Sequence, residues 1–317
     1  MTADPFTTPA PDIARDKWGR PLITPPDGGK PVPYTRCTTF ISAVDDMGGL
    51  IKWKQRMTAL GLAARPDLQL AVTAHRDDPK KLGHIVDEAM EAAGASSAAT
   101  TGTALHALTE RVDRGEDLGP VPDQHRADLD AYAHATRSLN VVDIERLVVL
   151  DQYRVAGTPD RVVTVGGRKM IADLKTGANQ LKYPHKIAAQ LAVYAHSRAY
   201  DITTGKRTDV DVDLERAIII HLPAGSGQCT LHWVDITAGW GAVQLAAKVR
   251  DWRARKGLTE PYVSAAEPYS SPVDEVAAAI ADATDEAALY LAWSTNQDRW
   301  TDEHTAAAAA RKAELTA

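Results

Sequence analysis

The chain has 317 residues, 44% of them hydrophobic and 25% charged, a composition typical of a globular protein with a sizeable core. Its formal net charge of −6 argues, taken alone, against a nucleic-acid partner, because affinity for phosphate backbones depends on lysine and arginine. Two cysteines, Cys37 and Cys229, are too few for a disulfide framework or for a four-cysteine zinc or iron–sulfur site.

The sequence shows no sign of export or membrane insertion. It does not open with a basic segment followed by an apolar stretch, and it holds no uninterrupted apolar run of about 18 residues. The two cysteines are far apart in the sequence, so disulfide bonds are not expected to hold the fold. We therefore expect a cytoplasmic protein without a membrane partner.

The first half of the chain is predicted to be an arm followed by helices. Residues 1–35 hold eight prolines, which remove backbone donors and are poorly tolerated inside helices and strands, so this segment is predicted to be an arm that is either extended or disordered, with docking on the domain as one alternative. From Arg36 onward, apolar residues recur at three- and four-residue steps, which is typical of amphipathic helices. The predicted helices cover residues 36–65, 80–93, 103–115 and 123–139.

The pattern then changes to short runs of branched apolar residues, which favour strands. Gly166-Gly167 separates two of these runs and is a strong signal for a two-residue hairpin loop. The predicted strands cover residues 144–149, 152–155, 161–165, 168–174, 217–222 and 231–236. Helices are predicted over residues 184–200, 238–256 and, in an Ala-rich segment, 273–317.

The hairpin is flanked by carboxylates that its register brings together. If the two glycines form the whole loop, Asp160 lies directly opposite Asp173. Facing residues of an antiparallel pair have Cβ atoms roughly 4.5–5.5 Å apart, so two carboxylates repel each other unless a cation lies between them, and a hard divalent metal suits such oxygen ligands. Lys175 shares the face of Asp173, where an ammonium can orient or activate a water molecule.

The hairpin also has an ordinary interpretation. A surface hairpin can carry two incidental aspartates, and a one-residue slip of the register would separate Asp160 from Asp173. Glu145, at the start of the first predicted strand of the chain, is a further candidate for the same site.

Two helical pairs add to the pattern. Gln190 and Tyr194 are one helical turn apart, as are Lys186 and Gln190, so the three can share one stripe. His106 and Glu110 form the same pair on an upstream helix, where His106 could give a nitrogen ligand to a metal. Each pair also has an ordinary interpretation, a half-buried tyrosine or a histidine satisfied within the fold.

In this order and spacing, the residues resemble the RecB-type branch of the PD-(D/E)XK nuclease superfamily over about residues 100–235. The resemblance rests on His106, Gly-Thr-Pro-Asp160, Asp173-x-Lys175 and Gln190-x-x-x-Tyr194. It implies an α/β fold with a restriction-endonuclease-like core, in which a mixed central sheet is flanked by helices, with a helical N-terminal region and a helical C-terminal appendage. The implied divisions are an extended arm, a nuclease domain and an acidic Ala-rich tail, over residues 1–35, 36–264 and 265–317.

The resemblance also implies a cofactor and a role for each site residue. Three side chains and one backbone carbonyl would bind Mg²⁺ or Mn²⁺: Asp160, Asp173, His106 and Leu174. Lys175 would orient the attacking water, and Gln190 and Tyr194 would position the scissile strand or the catalytic groups. Many relatives hold an iron–sulfur cluster on four cysteines, and a chain with two cysteines is not expected to.

The implied function is a metal-dependent DNA nuclease, an exonuclease acting on DNA ends in recombination, repair or replication. No Gly-x-x-x-x-Gly-Lys-[Ser/Thr] loop is present, so we expect a stand-alone enzyme of the kind that phages encode, without a fused helicase motor. A recombinase or single-strand-annealing protein is a candidate second partner beside DNA. Three alternatives stay open: an endonuclease, a nuclease acting on RNA, and a non-catalytic DNA-binding or assembly module that retains the nuclease fold.

The charge distribution removes the objection raised by the net charge. Residues 161–186 carry six basic side chains against Asp173 alone, and Arg161, Lys182 and Lys186 are the candidates for contacts with substrate. Residues 265–317 carry ten acidic and three basic side chains, so the rest of the chain has a net charge of +1.

Removing residues 265–317 is therefore expected to strengthen DNA binding at low salt, because a segment with a charge of −7 repels phosphates. Fluorescence anisotropy with labelled DNA, on the full chain and on the truncated chain, measures the change. A truncated chain that folds, as judged by circular dichroism, and binds DNA no more tightly than the full chain would contradict this expectation.

Overall fold

The computed structural model describes residues 13–262 and 274–316 of a chain that divides into two compact units, Met1–Arg255 and Lys256–Ala317. The helices of the first unit are α1 (Cys37–Ile41), α2 (Gly48–Ala64), α3 (Pro66–Ala74), α4 (Pro79–Ala92), α5 (Ser97–Asp113), α6 (Asp123–Thr136), α7 (Pro184–Ala195) and α8 (Ile236–Arg253). Its strands are β1 (Leu22–Ile23), β2 (Val32–Pro33), β3 (Thr35–Arg36), β4 (Asn140–Ile144), β5 (Val148–Leu150), β6 (Val155–Gly157), β7 (Arg161–Val165), β8 (Arg168–Lys175), β9 (Arg198–Tyr200), β10 (Arg207–Asp209), β11 (Arg216–His221) and β12 (Thr230–Asp235).

One five-stranded sheet contains the predicted hairpin. Its strand order is β12-β11-β8-β7-β4, with β11 parallel to β8 and the other neighbours antiparallel. In the hairpin, Val165 pairs with Arg168 and Arg161 pairs with Ala172, which is the register expected for a two-residue loop. Gly166 and its neighbour have φ values of 56° and 80°, which such tight loops require and glycine readily adopts. The predicted hairpin register is confirmed.

Helices cover both faces of this sheet. On one face, Val162, Ile171 and Ile219 pack with residues of α7 and α8. On the other face, Val163 and Met170 pack with Tyr132 of α6. Successive strand residues alternate between the two faces, as the pleat requires. The predicted α/β fold, a mixed sheet flanked by helices, is confirmed.

A second mixed sheet was not foreseen. Its strand order is β10-β9-β5-β6-β3, and only β3 and β6 run parallel. The single strand predicted over 144–149 is wrong, because Glu145 adopts a φ of 51° and the chain leaves the first sheet there and enters the second at Val148. The strand predicted over 152–155 is displaced, since Asp151–Tyr153 forms a 3₁₀ turn that precedes β6. The helix predicted over 184–200 ends at Ala195, and the last residues of that range form β9.

The described part of the predicted arm, residues 13–35, packs on the second sheet. Ile13, Ile23 and Tyr34 are buried there. The Tyr34 hydroxyl donates to Asp151 Oδ1 at 2.7 Å, which ties the arm to the start of the turn after β5. Residues 1–12 of that prediction lie outside the described residues.

The long helix predicted over 36–65 is interrupted. It comprises α1, a 3₁₀ turn over Ser42–Val44, and α2. Asp45 is extended between them, and the Asp46 carboxylate accepts a hydrogen bond from the Gly48 amide at 2.8 Å, which starts α2 afresh. The apolar periodicity of the two helices continues across this break, so it could not be seen in the pattern.

The second unit is helical in its described residues, with α9 (Glu275–Ala281), α10 (Glu286–Thr295) and α11 (Asp302–Leu315). Val276, Ile280 and Leu289 form its core. His304 links two of its helix starts, since Nε2 lies 2.7 Å from Asp274 Oδ2 while its backbone amide donates to Thr301. Residues 263–273, where the predicted tail begins, lie outside the described residues. Across the described ranges, no helix has the length and apolar character needed to cross a membrane.

The crossing of α2 and α4 depends on Gly61, because a Cβ there would lie 1.7 Å from the Ala89 carbonyl oxygen. We expect Gly61→Ala to lower the free energy of unfolding by about 1–3 kcal/mol, since the helices must separate. Gly83→Ala on α4, where a Cβ meets nothing within 4 Å, is the matched control and is expected to raise stability by about 0.5–1 kcal/mol. Urea unfolding measures both, and a Gly61→Ala protein as stable as Gly83→Ala would refute the close crossing.

Candidate active site

The two predicted carboxylates meet at the open end of the hairpin. Asp160 immediately precedes β7, and its Oδ2 accepts a hydrogen bond from the Leu174 amide at 2.7 Å, across the position of Asp173 in β8. Asp173 is 1% exposed, and the hairpin register places it on the same face as Ile171, toward α7. The structure thus brings together the two carboxylates that sequence spacing paired.

The Lys175 ammonium is the positive charge at this pair. It lies against the Asp173 carboxylate, and its side chain is largely buried. Asp173 Oδ2 is the oxygen in this contact, and among the described residues it has no further hydrogen-bond partner. An oxygen held by one ion pair alone keeps a lone pair that a cation can use.

Burial and mutual repulsion both act on these acids. Burial raises the pKa of Asp173, and the nearby charge of Asp160 raises it further, while Lys175 opposes the shift. Burial also raises the pKa of Asp160, against the lowering effects of Lys175 and of the Leu174 amide. Without an added cation, the ionised pair is therefore costly to hold.

His106 lies beside Asp160, at the open end of the hairpin. Its Nδ1 is 3.4 Å from Asp160 Oδ2, and it projects from α5. Burial lowers the pKa of His106, which favours the neutral imidazole that can ligate a metal. Glu110, one turn further along α5, lines the same cleft and pairs with Arg114 at 3.2 Å.

Glu145 is closer to the centre of the site than its sequence position indicated. Its amide donates to the Asp160 carbonyl at 3.1 Å, so Glu145, Asp160 and Asp173 form one row across three neighbouring strands. A register shift between Val141 and Asp143 and the positive φ of Glu145 set this position. Burial, together with the charges of Asp160 and Glu110, raises the pKa of Glu145 to about 7.

The donor set fits a hard divalent cation, although in the described ranges no three His, Cys, Asp or Glu side chains converge closely enough to hold one as they stand. The fit rests on the Asp173 oxygen that contacts Lys175 and makes no further hydrogen bond, on the carboxylate of Asp160 beside it and on the imidazole of His106. The side chain of Leu174 is buried in the opposite face of the sheet, so only its backbone carbonyl is available as the predicted further ligand.

Gln190 and Tyr194 lie against the same pair of strands. Gln190 Nε2 donates to the Tyr194 hydroxyl at 3.1 Å. A Cβ at Gly157 would lie 2.7 Å from the Tyr194 ring and 3.2 Å from Cys37, so the glycine of the Gly-Thr-Pro-Asp motif makes room for this ring. Burial, with the nearby charge of Asp173 adding to it, raises the pKa of Tyr194 well above its ordinary value, so the hydroxyl stays protonated.

The three basic candidates for substrate contact differ in their exposure to solvent and in their ion pairs. Arg161 is 1% exposed and paired with Asp113 inside the fold, so the expectation that it contacts substrate is wrong. It faces inward because strand alternation turns it away from the side of Asp160. Lys186 pairs with Asp45 at 2.7 Å and is half-exposed, while Lys182 is exposed in a 3₁₀ turn after β8.

A cleft of about 620 Å³ opens beside His106, Glu110 and Glu145. It is lined by one side of α5, by Glu145 and by the segment that follows β8: Ala99, Gly102, Thr103, His106, Ala107, Glu110, Glu145, Thr176, Gly177 and Gln180. A Cβ at Gly102 would lie 2.8 Å from Thr176 Oγ1, so the small residue lets the two walls approach. Sequence reasoning missed Gly102 and Thr176, although Gly102 stands one helical turn before His106.

Comparison with known families agrees with this geometry. A model of the PD-(D/E)XK nuclease superfamily matches residues 67–214, a range that contains every site residue named above except Cys37 and Asp45. No curated protein matches the chain significantly. Residues 67–214 are thus similar to the PD-(D/E)XK nuclease superfamily, and the mixed α/β fold is consistent with a restriction-endonuclease-like core. This similarity supports a nuclease.

The buried acids predict a pH dependence of stability. A carboxyl whose pKa is about 7 in the folded protein and near 4.5 when unfolded contributes stability that is fully present below pH 4.5 and is lost as the pH rises to 7. We expect metal-free protein to lose stability over this range, and Glu145→Gln to reduce the loss by on the order of 1 kcal/mol.

Urea unfolding in EDTA between pH 5 and pH 8 measures this loss. Glu88→Gln, which changes an exposed carboxylate on α4, is the matched control. A Glu145→Gln protein with the same pH slope as wild type would contradict the expectation.

Proposed function

We propose that this protein is a divalent-metal-dependent DNA nuclease that hydrolyses phosphodiester bonds at DNA ends. The observation that carries the proposal is the group formed by Asp160, Asp173 and Lys175 at the open end of the hairpin. It joins the buried carboxylate of Asp173 and the largely buried carboxylate of Asp160 to a largely buried ammonium that contacts Asp173. The similarity of residues 67–214 to PD-(D/E)XK nucleases supports the same chemistry.

Mg²⁺ or Mn²⁺ would be held by Asp160, Asp173, His106 and the Leu174 carbonyl, where it would polarise the phosphate and make water more acidic. Lys175, beside Asp173, would hold the attacking water in line with the scissile bond and offset the charge that develops on the phosphate. Attack by water would form a new P–O bond and break the P–O bond to the leaving oxygen, with the proton of the water passing to solvent and the leaving oxygen taking up a proton from solvent.

Tyr194 and Gln190 would act by positioning. The buried Tyr194 hydroxyl is protonated and accepts from Gln190, so its own proton is free to be donated toward the acids or the DNA strand. The exposed Lys182 and the half-exposed Lys186 would contact the DNA backbone.

We further propose that the substrate is a DNA end, as in a stand-alone exonuclease of the phage type that acts in recombination, repair or replication in the cytoplasm. A cleft of about 620 Å³ holds a short stretch of one strand rather than a whole duplex. A recombinase or a single-strand-annealing protein would be a natural second partner for an enzyme that exposes single strands.

Digestion of 5′- and 3′-labelled linear, nicked and circular DNA with Mg²⁺ or Mn²⁺ tests the proposal. We expect linear DNA to be degraded and covalently closed circles to resist. Asp173→Asn and Lys175→Met are each expected to lower the rate at least about 100-fold, because each removes charge from the reacting centre. Asp87→Asn and Lys80→Met, at exposed positions of α4, are the matched controls and should act like wild type.

Each other outcome has a definite meaning. Equal degradation by wild type and the site variants would identify a contaminating nuclease and refute the proposal. Cleavage of circles at the same rate would make the protein an endonuclease, and preferred cleavage of RNA would replace the substrate. DNA binding without cleavage would establish the binding-module alternative.

A further inference from the structure

A buried chain of hydrogen bonds connects β7 to the helix that carries His106. The Arg161 side chain donates from Nη2 to Thr109 Oγ1 at 2.9 Å. The Thr109 hydroxyl in turn donates to the backbone carbonyl of His106 at 2.9 Å. Thr109 is fully buried, so its hydroxyl is shielded from water. The guanidinium is thereby linked through one hydroxyl to the backbone of the histidine that faces Asp160.

The same guanidinium holds the next turn of α5. Its Nε donates to Asp113 Oδ2 at 2.5 Å, and Asp113 is four residues beyond Thr109. Tyr132 of α6 donates to both carboxylate oxygens of Asp113, at 2.8 and 2.9 Å, and its ring lies 5.4 Å from the guanidinium. Two turns of α5 are therefore attached to one side chain of β7.

The network favours one geometry more than it adds stability. A buried ion pair roughly repays the cost of desolvating its charges, so its main effect is to select one arrangement of its partners. Among the described residues, Arg161 Nη1 is buried without a hydrogen-bond partner, so the contacts to Thr109 and Asp113 set the orientation of the guanidinium. A shift of α5 along the sheet would break both contacts and leave a buried charge unpaired.

The position of Arg161 makes this arrangement relevant to the site. Arg161 directly follows Asp160, so the backbone that places the carboxylate on one side places the guanidinium on the other. The carboxylate lies 3.4 Å from His106 Nδ1, and the guanidinium holds the turn of α5 that begins at the His106 carbonyl. Both sides of this strand therefore contact α5. Asp160 lies beside His106 on one side, and Arg161 is hydrogen-bonded to Thr109 and Asp113 on the other.

We propose that Thr109 and Arg161 are positioning residues whose hydrogen-bond relay sets the place of His106 opposite Asp160 and thereby the affinity of the site for a divalent metal. The inference rests on the proposed function, in which His106 and Asp160 are metal ligands. Groups that orient ligands from behind commonly change metal affinity or activity by about 10–100-fold when removed.

Thr109→Val and Thr109→Ser separate the relay from simple packing. Valine keeps the shape of threonine and removes the hydroxyl, whereas serine keeps the hydroxyl and removes a methyl group. If the relay operates, Thr109→Val lowers the affinity for Mn²⁺ by roughly 10–100-fold, and Thr109→Ser stays within about threefold of wild type. If Thr109 only fills space, the order reverses, with valine equal to wild type and serine weaker.

Calorimetric titration of the full-length protein with MnCl₂ measures these affinities without depending on turnover. Thr136→Val is the matched control, because Thr136 is a buried threonine on α6 whose hydroxyl also donates to a backbone carbonyl, that of Tyr132, at 2.8 Å. It should leave Mn²⁺ affinity unchanged. If Thr109→Val does not fold, Arg161→Lys takes its place in the test. It keeps the charge but cannot reach both Thr109 and Asp113, so it is also expected to lower the affinity for Mn²⁺.

The outcomes distinguish the two proposals. Wild-type affinity in Thr109→Val, or in a folded Arg161→Lys when the valine variant does not fold, would overturn the relay while leaving the metal-dependent function intact. A wild-type protein that binds no Mn²⁺ would overturn the proposed function and the relay with it.

Discussion

The repulsion between Asp160 and Asp173 is the constraint on which the rest of this site depends. The hairpin places both carboxylates at its open end, away from water, where each has a raised pKa. Three groups offset the cost in the protein itself: the ammonium of Lys175, the amide of Leu174 and the guanidinium of Arg161. Asp173 Oδ2 contacts the Lys175 ammonium and makes no further hydrogen bond among the described residues, so it keeps the capacity to accept a further cation.

The surrounding fold turns this local problem into a cleft. Because β7 and β8 lie between β4 and β11 in the sheet, and helices cover both faces, the end of the hairpin cannot relax by moving its strands apart. Tyr194 closes the side of α7 by packing over Gly157. Arg161 is hydrogen-bonded to α5, whose His106 lies 3.4 Å from Asp160 and lines the cleft together with Glu110. The site is thus built from the ends of neighbouring strands and from α5, which the buried guanidinium of Arg161 attaches to the sheet.

Buried carboxylates that repel each other lower the stability of the metal-free protein, and binding of a cation between them would raise it. Ligand that binds only the folded chain stabilises it in proportion to the logarithm of its concentration over the dissociation constant. The three acids in one row, Glu145, Asp160 and Asp173, would each gain from such binding, because each carries a raised pKa. The same three buried acids therefore set the stability of the protein, the dependence of that stability on pH and the proposed affinity for a metal.

The hairpin, its register and hence the pairing of Asp160 with Asp173 follow from the amino-acid order alone, because a Gly-Gly loop and the two-residue period of strands are local rules. The helical stripe of Gln190 and Tyr194 follows in the same way. The inward direction of Arg161, the approach of Glu145 and the hydrogen bonds through Thr109 arise only in the folded chain. These depend on a strand bulge, a left-handed backbone at Glu145 and contacts between elements about 50 residues apart, none of which leaves a periodic signal in the chain.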